Sequence, residues 1–344
     1  MSLSITTRIM MNSIAVWWEK TKEDLSAIEL HLDINLWRSN DSDNNSIEFG
    51  IKITGSNEEK FYIDFPFKFD KCQFHDLIPH LSKNAEFSKI LFNENISLET
   101  SDTKFTVVKF NGTGVRYTLL SDDEFQITPY SNGRTRLLIC LPKPPCDDFP
   151  LYFRFTIDLT ESIYETKNEN YFYIDGIYRK VALLDLNINC LRKLPVDIAG
   201  KLNGIQIKSI NMFLITGNII SFDFVSKAAS KSRILERDVW SRYRQLPYEK
   251  AIFGCEKNKI KNTLEGKEVL AFHWKEIGTT DKPIEEYSLF AKFSFSRKKW
   301  KALTAFVLVI VILGGIGGVL GNFATTKLFN GFADENQTAE QKKG

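Results

Sequence analysis

The sequence predicts a mainly β protein: an antiparallel β-sandwich-like body, in one large or two lobes with a few helices, followed by one transmembrane helix near the carboxyl end. Three observations lead there. Apolar and polar residues alternate with period two through much of the first 295 positions, as half-buried strands require. Turn signals such as NGTG separate the alternating runs. One uncharged apolar segment, from Ala302 to Ala324, interrupts an otherwise polar composition.

The chain opens with one early Arg and a broken apolar run, Ile14 to Trp18, too short for a signal-peptide core and without a small-residue cleavage site. That argues against a cleaved export leader, and Met10 or Met11 could equally be the start. In AIELHLDINLW, Ile28, Leu30, Leu32, Ile34 and Leu36 share one face, with Glu29, His31, Asp33 and Asn35 on the other. SIEFGIKIT repeats the alternation after a polar loop, so the pair predicts a hairpin. Further strands are expected over 61–69, 105–110, 115–120, 136–141, 151–159, 171–174, 181–188, 204–210, 218–225, 269–274 and 288–295. So many strands with short turns suit sheets packed face to face.

Helices are expected over 76–92, 196–202 and 230–246. LPKPPCDDFP carries four of the ten prolines; proline cannot continue a sheet ladder. The expected organisation is a first β-rich lobe over 1–141, a connector over 142–150, and a second lobe over 151–295 with a basic helical insertion at 226–262. A basic juxtamembrane segment (296–301), the transmembrane helix (302–324) and a short polar tail (325–344) complete the chain. A single continuous sandwich crossed by a stiff connector fits the same pattern.

At about 1.5 Å per residue, the 23 residues from Ala302 to Ala324 give roughly 34 Å, enough to span a bilayer's hydrocarbon core. Trp300 stands where an indole can sit at headgroup level. Arg297, Lys298, Lys299 and Lys301 crowd the amino-terminal flank, whereas the other side offers Lys327 before Asp334 and Glu335. Positive charge marks the cytoplasmic side, so the body is expected in the cytoplasm and the tail across the membrane. The arrangement resembles that of tail-anchored, single-pass proteins as a topological class.

Gly314, Gly318 and Gly321 fall at i, i+4 and i+7 of that helix, and Gly317 with Gly321 makes a second G-x-x-x-G. Small residues let two helix backbones approach closely in lipid, which predicts a homo-oligomer through the membrane helix. The lipid bilayer is the other expected partner, with an unknown protein or small ligand on the body. Between Ser226 and Lys261 ten Lys/Arg face four acids. On a helix Leu235, Val239, Tyr243 and Leu246 would line one face and Lys231, Arg233, Arg237, Arg242 and Arg244 the rest. That pattern suits a helix lying on anionic lipid, each near-surface cation adding about 1 kcal/mol, or, preferred here, one packed on the sheet by its apolar stripe. A net charge of +2 and no recognised motif argue against nucleic acid as a partner.

Five cysteines, Cys72, Cys140, Cys146, Cys190 and Cys255, form no C-x-x-C pair and read as reduced packing residues. Cys72, His75, Asp76 and His80 cluster in sequence, but their spacings match no zinc pattern. Asp41, Asp43 and Asn45 imitate the start of a calcium loop, yet Ser46 and Lys52 stand where Gly and Glu are needed. With no nucleophile elbow and four scattered histidines, no catalytic residue, cofactor or metal ligand is nominated. The expected function is a non-enzymatic, membrane-anchored binding or assembly module. The alternatives are a sensor-effector that perturbs the membrane on clustering and a tethered hydrolase.

Overall fold

The computed structural model describes residues 12–19, 28–38, 45–54, 60–100, 105–110, 113–118, 125–130, 133–141, 149–159, 165–167, 179–202, 206–217, 220–249, 269–279, 281–296 and 300–341. The chain forms two compact units, 1–168 with 180–296, and 169–179 with 297–344.

Among the described residues of the first unit, the strand alternation is realised as three sheets. The largest has ten strands, nine of them in the order β16 (Lys231–Leu235), β17 (Val269–Ile277), β14 (Gln206–Thr216), β2 (Glu29–Arg38), β3 (Asn45–Thr54), β11 (Leu151–Leu159), β8 (Thr113–Thr118), β7 (Phe105–Phe110) and β6 (Ser97–Thr100). The tenth, β5 (Phe74–Asp76), also pairs with β11. A second sheet orders β1 (Ala15–Trp18), β4 (Lys60–Phe65), β10 (Arg134–Cys140) and β9 (Phe125–Tyr130). The third orders β12 (Glu165–Lys167), β13 (Arg179–Ile188), β18 (Tyr287–Ser296) and β15 (Ile220–Val225). Most pairings are antiparallel, but β14 with β2 and β11 with β8 are parallel. Strands from either side of residues 142–150 are hydrogen-bonded neighbours in the large sheet, β3 with β11 and β2 with β14.

The main core gathers one face of the large sheet against both smaller sheets. Leu30, Leu32, Ile34 and Leu36 of β2 meet Phe61 and Ile63 of β4 and Leu289 and Phe293 of β18 in one buried cluster. The opposite face of the large sheet is covered as well. A second cluster joins Trp37, Tyr117, Tyr152 and Ala271 to the short helices α1 (Ile78–Leu81) and α2 (Ala85–Phe92) and to α4 (Arg237–Glu249); α3 (Val196–Ala199) lies between them in sequence. The body is therefore a sandwich with a helical layer on its outer side.

Several local expectations are corrected. The helix expected over 76–92 is strand β5 followed by two helices. Asp76 accepts a hydrogen bond from the Ile78 amide (3.0 Å), Pro79 sits in the first turn of α1, and Asn84 caps α2 through the Glu86 amide (3.0 Å). The helix expected over 230–246 starts later, at Arg237, because residues 231–235 are all paired with β17, from His273 back to Val269. Strands β1, β6, β9 and β12 add to those expected. The run at 171–174 lies outside the described residues. Cys72 is disulfide-bonded, which overturns its reading as a reduced thiol: residue spacing does not reveal which sulfurs meet in space. Cys140 and Cys190 are free thiols, whereas Cys146 and Cys255 lie outside the described residues.

In the second unit Trp300–Gln341 forms a helix of 42 residues, α5. Its stretch from Val307 to Lys327, of mean hydropathy 2.3, is long and apolar enough to cross a membrane, and none of it is buried within the chain. The helix continues to Gln341, within the residues expected as a polar tail.

Candidate functional site

The second face of the large sheet carries the polar residues of β2 that alternation would assign to solvent. They line a cavity of about 370 Å³ bounded by β2, β11, β14, β16, β17, α2 and α4. Register explains the convergence. Asp33 lies opposite Gly50 on β3 and Asn211 on β14, while Gly50 in turn lies opposite Arg154 on β11. One step along, Asn35 lies beside Glu48 and Phe213, Phe213 beside His273, and His273 beside Lys231. Two adjacent rows of the sheet therefore supply the floor.

Beneath the cavity a charged pair is fully enclosed, Arg154 and Glu48 each being 2% exposed. Glu48 accepts hydrogen bonds from Asn35 (3.0 Å), the Trp37 indole (3.0 Å), Arg154 Nε (2.7 Å) and the Tyr243 hydroxyl (2.8 Å), and pairs with Arg154 Nη2. Arg154 Nη1 donates to the Tyr152 hydroxyl at 2.8 Å. Burial opposes the guanidinium charge, but Glu48 outweighs it and, with Tyr152, Tyr243 and Asp33, holds the Arg154 pKa well above its ordinary value. A buried pair so fully hydrogen-bonded is stable as a unit, and removing either partner leaves an uncompensated charge. Gly50 makes room for it. A Cβ there would lie 2.5 Å from Arg154 Nη1 and 2.6 Å from the Tyr152 hydroxyl.

A second chain of contacts faces the cavity itself. Asn211 donates through Nδ2 to Asp33 Oδ1 at 2.8 Å, and its Oδ1 lies 3.2 Å from His273 Nε2. Burial, reinforced by Lys275, Lys231 and Arg233, pushes the His273 pKa down to about 4. The ring is therefore neutral near pH 7, and with Nε2 as the donor to Asn211 every bond in the chain points towards Asp33. Burial also raises the Asp33 pKa, against the opposing pull of Arg154 and Asn211. Phe213 stacks flat on His273, ring centres 4.2 Å apart.

The helices that roof this face are fixed by their own contacts. The Tyr117 hydroxyl donates to Ser88 (2.8 Å) and Ser88 to the Leu81 carbonyl (3.1 Å), fastening α2 to β8 and α1. Trp240, Tyr243 and Leu246 of α4 are buried in the second cluster. Thus α4 spends its apolar stripe on the sheet.

Of the basic residues singled out in the sequence, Lys231 and Arg233 sit on strand β16 and line the cavity. Arg237, Arg242 and Arg244 sit on α4, where Arg242 pairs with Glu86 at 3.1 Å and Arg244 lies over Trp37. Gly314, Gly317, Gly318 and Gly321 lie on α5 with nothing within 4 Å of an added Cβ. Trp300 and Lys301 begin α5, whereas residues 297–299 lie outside the described residues. His75 pairs with Asp158 at 3.0 Å and Asp76 accepts the Ile78 amide, so with Cys72 in a disulfide the 72–80 cluster is dispersed among other tasks. Among the described residues no three His, Cys, Asp or Glu gather as metal ligands. Asp41 and Asp43 lie outside the described residues, and Asn45 begins β3.

Sequence reasoning missed Asp33, Glu48, Arg154, Asn211 and His273 as a group. A partial signal was present: Arg154 stands between Phe153 and Phe155 in β11, whereas Glu48 occupies a polar position of an alternating strand, and buried charges of opposite sign need each other.

No protein-family model matches the chain, and no curated protein matches its sequence. Among solved structures, the chain is similar to the yeast delta-COP-I mu-homology domain complexed with Dsl1 WxWxV peptide, at 10% identity over 85% of this chain and 78% of that one. The TM-score is 0.19, a likeness too slight to carry an argument.

Proposed function

We propose that the protein is a membrane-anchored, non-enzymatic binding module whose body takes a ligand into the cavity between the large sheet and α2 and α4. The observation that carries this reading is the convergence of Asp33, Asn35, Asn211 and His273 in a cavity walled by Phe92, Phe213 and Trp240: convergent polar groups set beside apolar walls in a concave site mark a ligand pocket. No Ser, Thr or Cys is among the lining residues, so the cavity supplies no hydroxyl or thiol nucleophile from those residue types. A fragment screen on the full chain in lipid nanodiscs, mapped by hydrogen exchange, tests it. Binders should protect α2, β16 and β17; a folded protein with no footprint there for any fragment would remove the reading.

The helix α5 anchors the module by crossing the bilayer, and Gly314, Gly317, Gly318 and Gly321 bring two copies together. Replacing Gly314, Gly318 and Gly321 by Leu should lower dimer formation of α5 in a membrane two-hybrid assay severalfold while leaving carbonate-resistant membrane attachment intact. The cluster Arg297, Lys298, Lys299 and Lys301 puts the body on the cytoplasmic side. One observation favours the reverse orientation: Cys72 is disulfide-bonded, and disulfides persist in oxidising compartments. Protease added to sealed cells separates the two, since only an outward body is digested.

A further inference from the structure

Resting on that reading of the cavity, we infer that its ligand is a small amphiphilic carboxylate, with the anionic head towards Lys231 and Arg233 and the apolar body between Phe92, Phe213 and Trp240. The charges around the cavity set the sign. Glu48 is neutralised by Arg154 in the enclosed pair and shares its remaining capacity with Asn35, Trp37 and Tyr243. It has little charge left to repel an anion. Lys231 and Arg233 are exposed on the edge strand β16 and line the same cavity. With Lys275 they act together on His273, so a positive field reaches the ring from one side. A cation entering there would meet two or three like charges, whereas a carboxylate would be drawn in.

Asp33 limits how negative the ligand can be. It accepts the Asn211 amide on one oxygen and lines the cavity, so a dianionic phosphate would press against a second acid. A monoanion whose charge sits towards Lys231 and Arg233 presses less on Asp33. The floor is suited to a head with acceptor atoms, since the amides of Asn35 and Asn211 each carry a second N–H beyond the bonds to Glu48 and Asp33. The walls are suited to an aliphatic or aromatic body, because Ile90, Phe92, Phe213 and Trp240 present hydrocarbon to the same space. At about 370 Å³ the cavity lies at the small end of the usual range for ligand sites. The occupant is therefore a compact molecule rather than a folded polypeptide segment.

The test uses the full chain in phosphatidylcholine nanodiscs with three probes: phenylbutyrate, the neutral phenylbutanol, and inorganic phosphate, each followed by titration calorimetry. Phenylbutyrate should bind saturably and about tenfold more tightly than phenylbutanol, a difference of about 1.4 kcal/mol, and phosphate should not compete. The double variant Lys231→Gln with Arg233→Gln changes exposed side chains, so the fold should persist while the preference for the acid disappears. Ala271→Phe fills the cavity and should abolish binding of both phenyl compounds; circular dichroism checks that it has folded. Equal affinity for acid and alcohol, phosphate binding as tightly as phenylbutyrate, an unchanged preference in the double variant, or no binding of phenylbutyrate would each overturn the ligand class. If the alcohol binds and Ala271→Phe blocks it, the cavity still serves as a binding site and only the class is lost. If the fragment screen also finds nothing at the cavity, the binding reading falls with it.

Discussion

The two faces of the ten-stranded sheet differ by a single residue step, yet they are built on different principles. Along β2, Leu30, Leu32, Ile34 and Leu36 are 0% exposed and enter a large apolar cluster. Their neighbours His31, Asp33, Asn35 and Trp37 point the other way, into hydrogen bonds with β3 and β14 and contacts with α4. The apolar face is tolerant: residues of suitable volume hold its layers together. The polar face is exacting, because each donor needs one acceptor from one particular strand, and a slip of one residue would strand buried charges.

The sharpest test compares adjacent residues of β11. Arg154→Ala should cost about 3–5 kcal/mol, because Glu48 is left buried without its partner. Phe153→Ala, facing the apolar core, should cost a similar amount, about 3–5 kcal/mol, through the cavity it leaves. The difference lies in rescue. Adding Glu48→Gln to Arg154→Ala should recover about 1–2 kcal/mol by removing the orphaned charge, whereas no change at Glu48 helps Phe153→Ala. Denaturant titrations followed by tryptophan fluorescence would read both, and equal behaviour of the two variants towards Glu48→Gln would erase the contrast between the faces.

Gly50→Ala comes next, at about 1–3 kcal/mol, since the new methyl group collides with Arg154 and Tyr152 and forces a tightly bonded pair to move. Proton dependence should also be confined to the polar face. Burial holds His31 and His273 down to about 4, so between there and the ordinary histidine value near 6.5 the unfolded chain binds protons that the native state refuses. Stability should therefore fall as pH drops from about 6.5 towards 4, and His273→Gln should flatten the slope. Asp33 acts in the opposite sense, because its raised pKa lets the native state keep a proton longer on alkalinisation. The smallest effect belongs to the exposed pair Arg242–Glu86, whose side chains are 55% and 52% exposed. Glu86→Ala should change stability by less than about 1 kcal/mol, and a larger loss would mean that α2 and α4 depend on each other more than their burial implies.

Much of the apolar face was legible in the sequence, because period two is a local property and Ile28 to Leu36 or Leu151 to Leu159 display it without reference to the rest of the chain. The apolar helix α5 was legible for the same reason. The cavity was not. Its residues come from β2, β11, β14, β16 and β17, and their convergence depends on which strands become neighbours, on two parallel pairings, and on helices that cover a face written in polar residues. Lys231 and Arg233 illustrate the difficulty: a helical pattern fits them as well as a strand, and only pairing with β17 decides. Arg154 was the one local hint, a charge set between Phe153 and Phe155.

Consider finally the parallel pairing of β2 with β14, in which Asp33 meets a partner 178 positions away. At about 5–20 residues per second, a ribosome needs roughly 10–35 s after making the first to deliver the second. Through that interval the apolar edge of an unfinished sheet has no neighbour to cover it, so production of this protein in cells should depend on chaperones that shield nascent chains, and should suffer most when translation slows between the two strands.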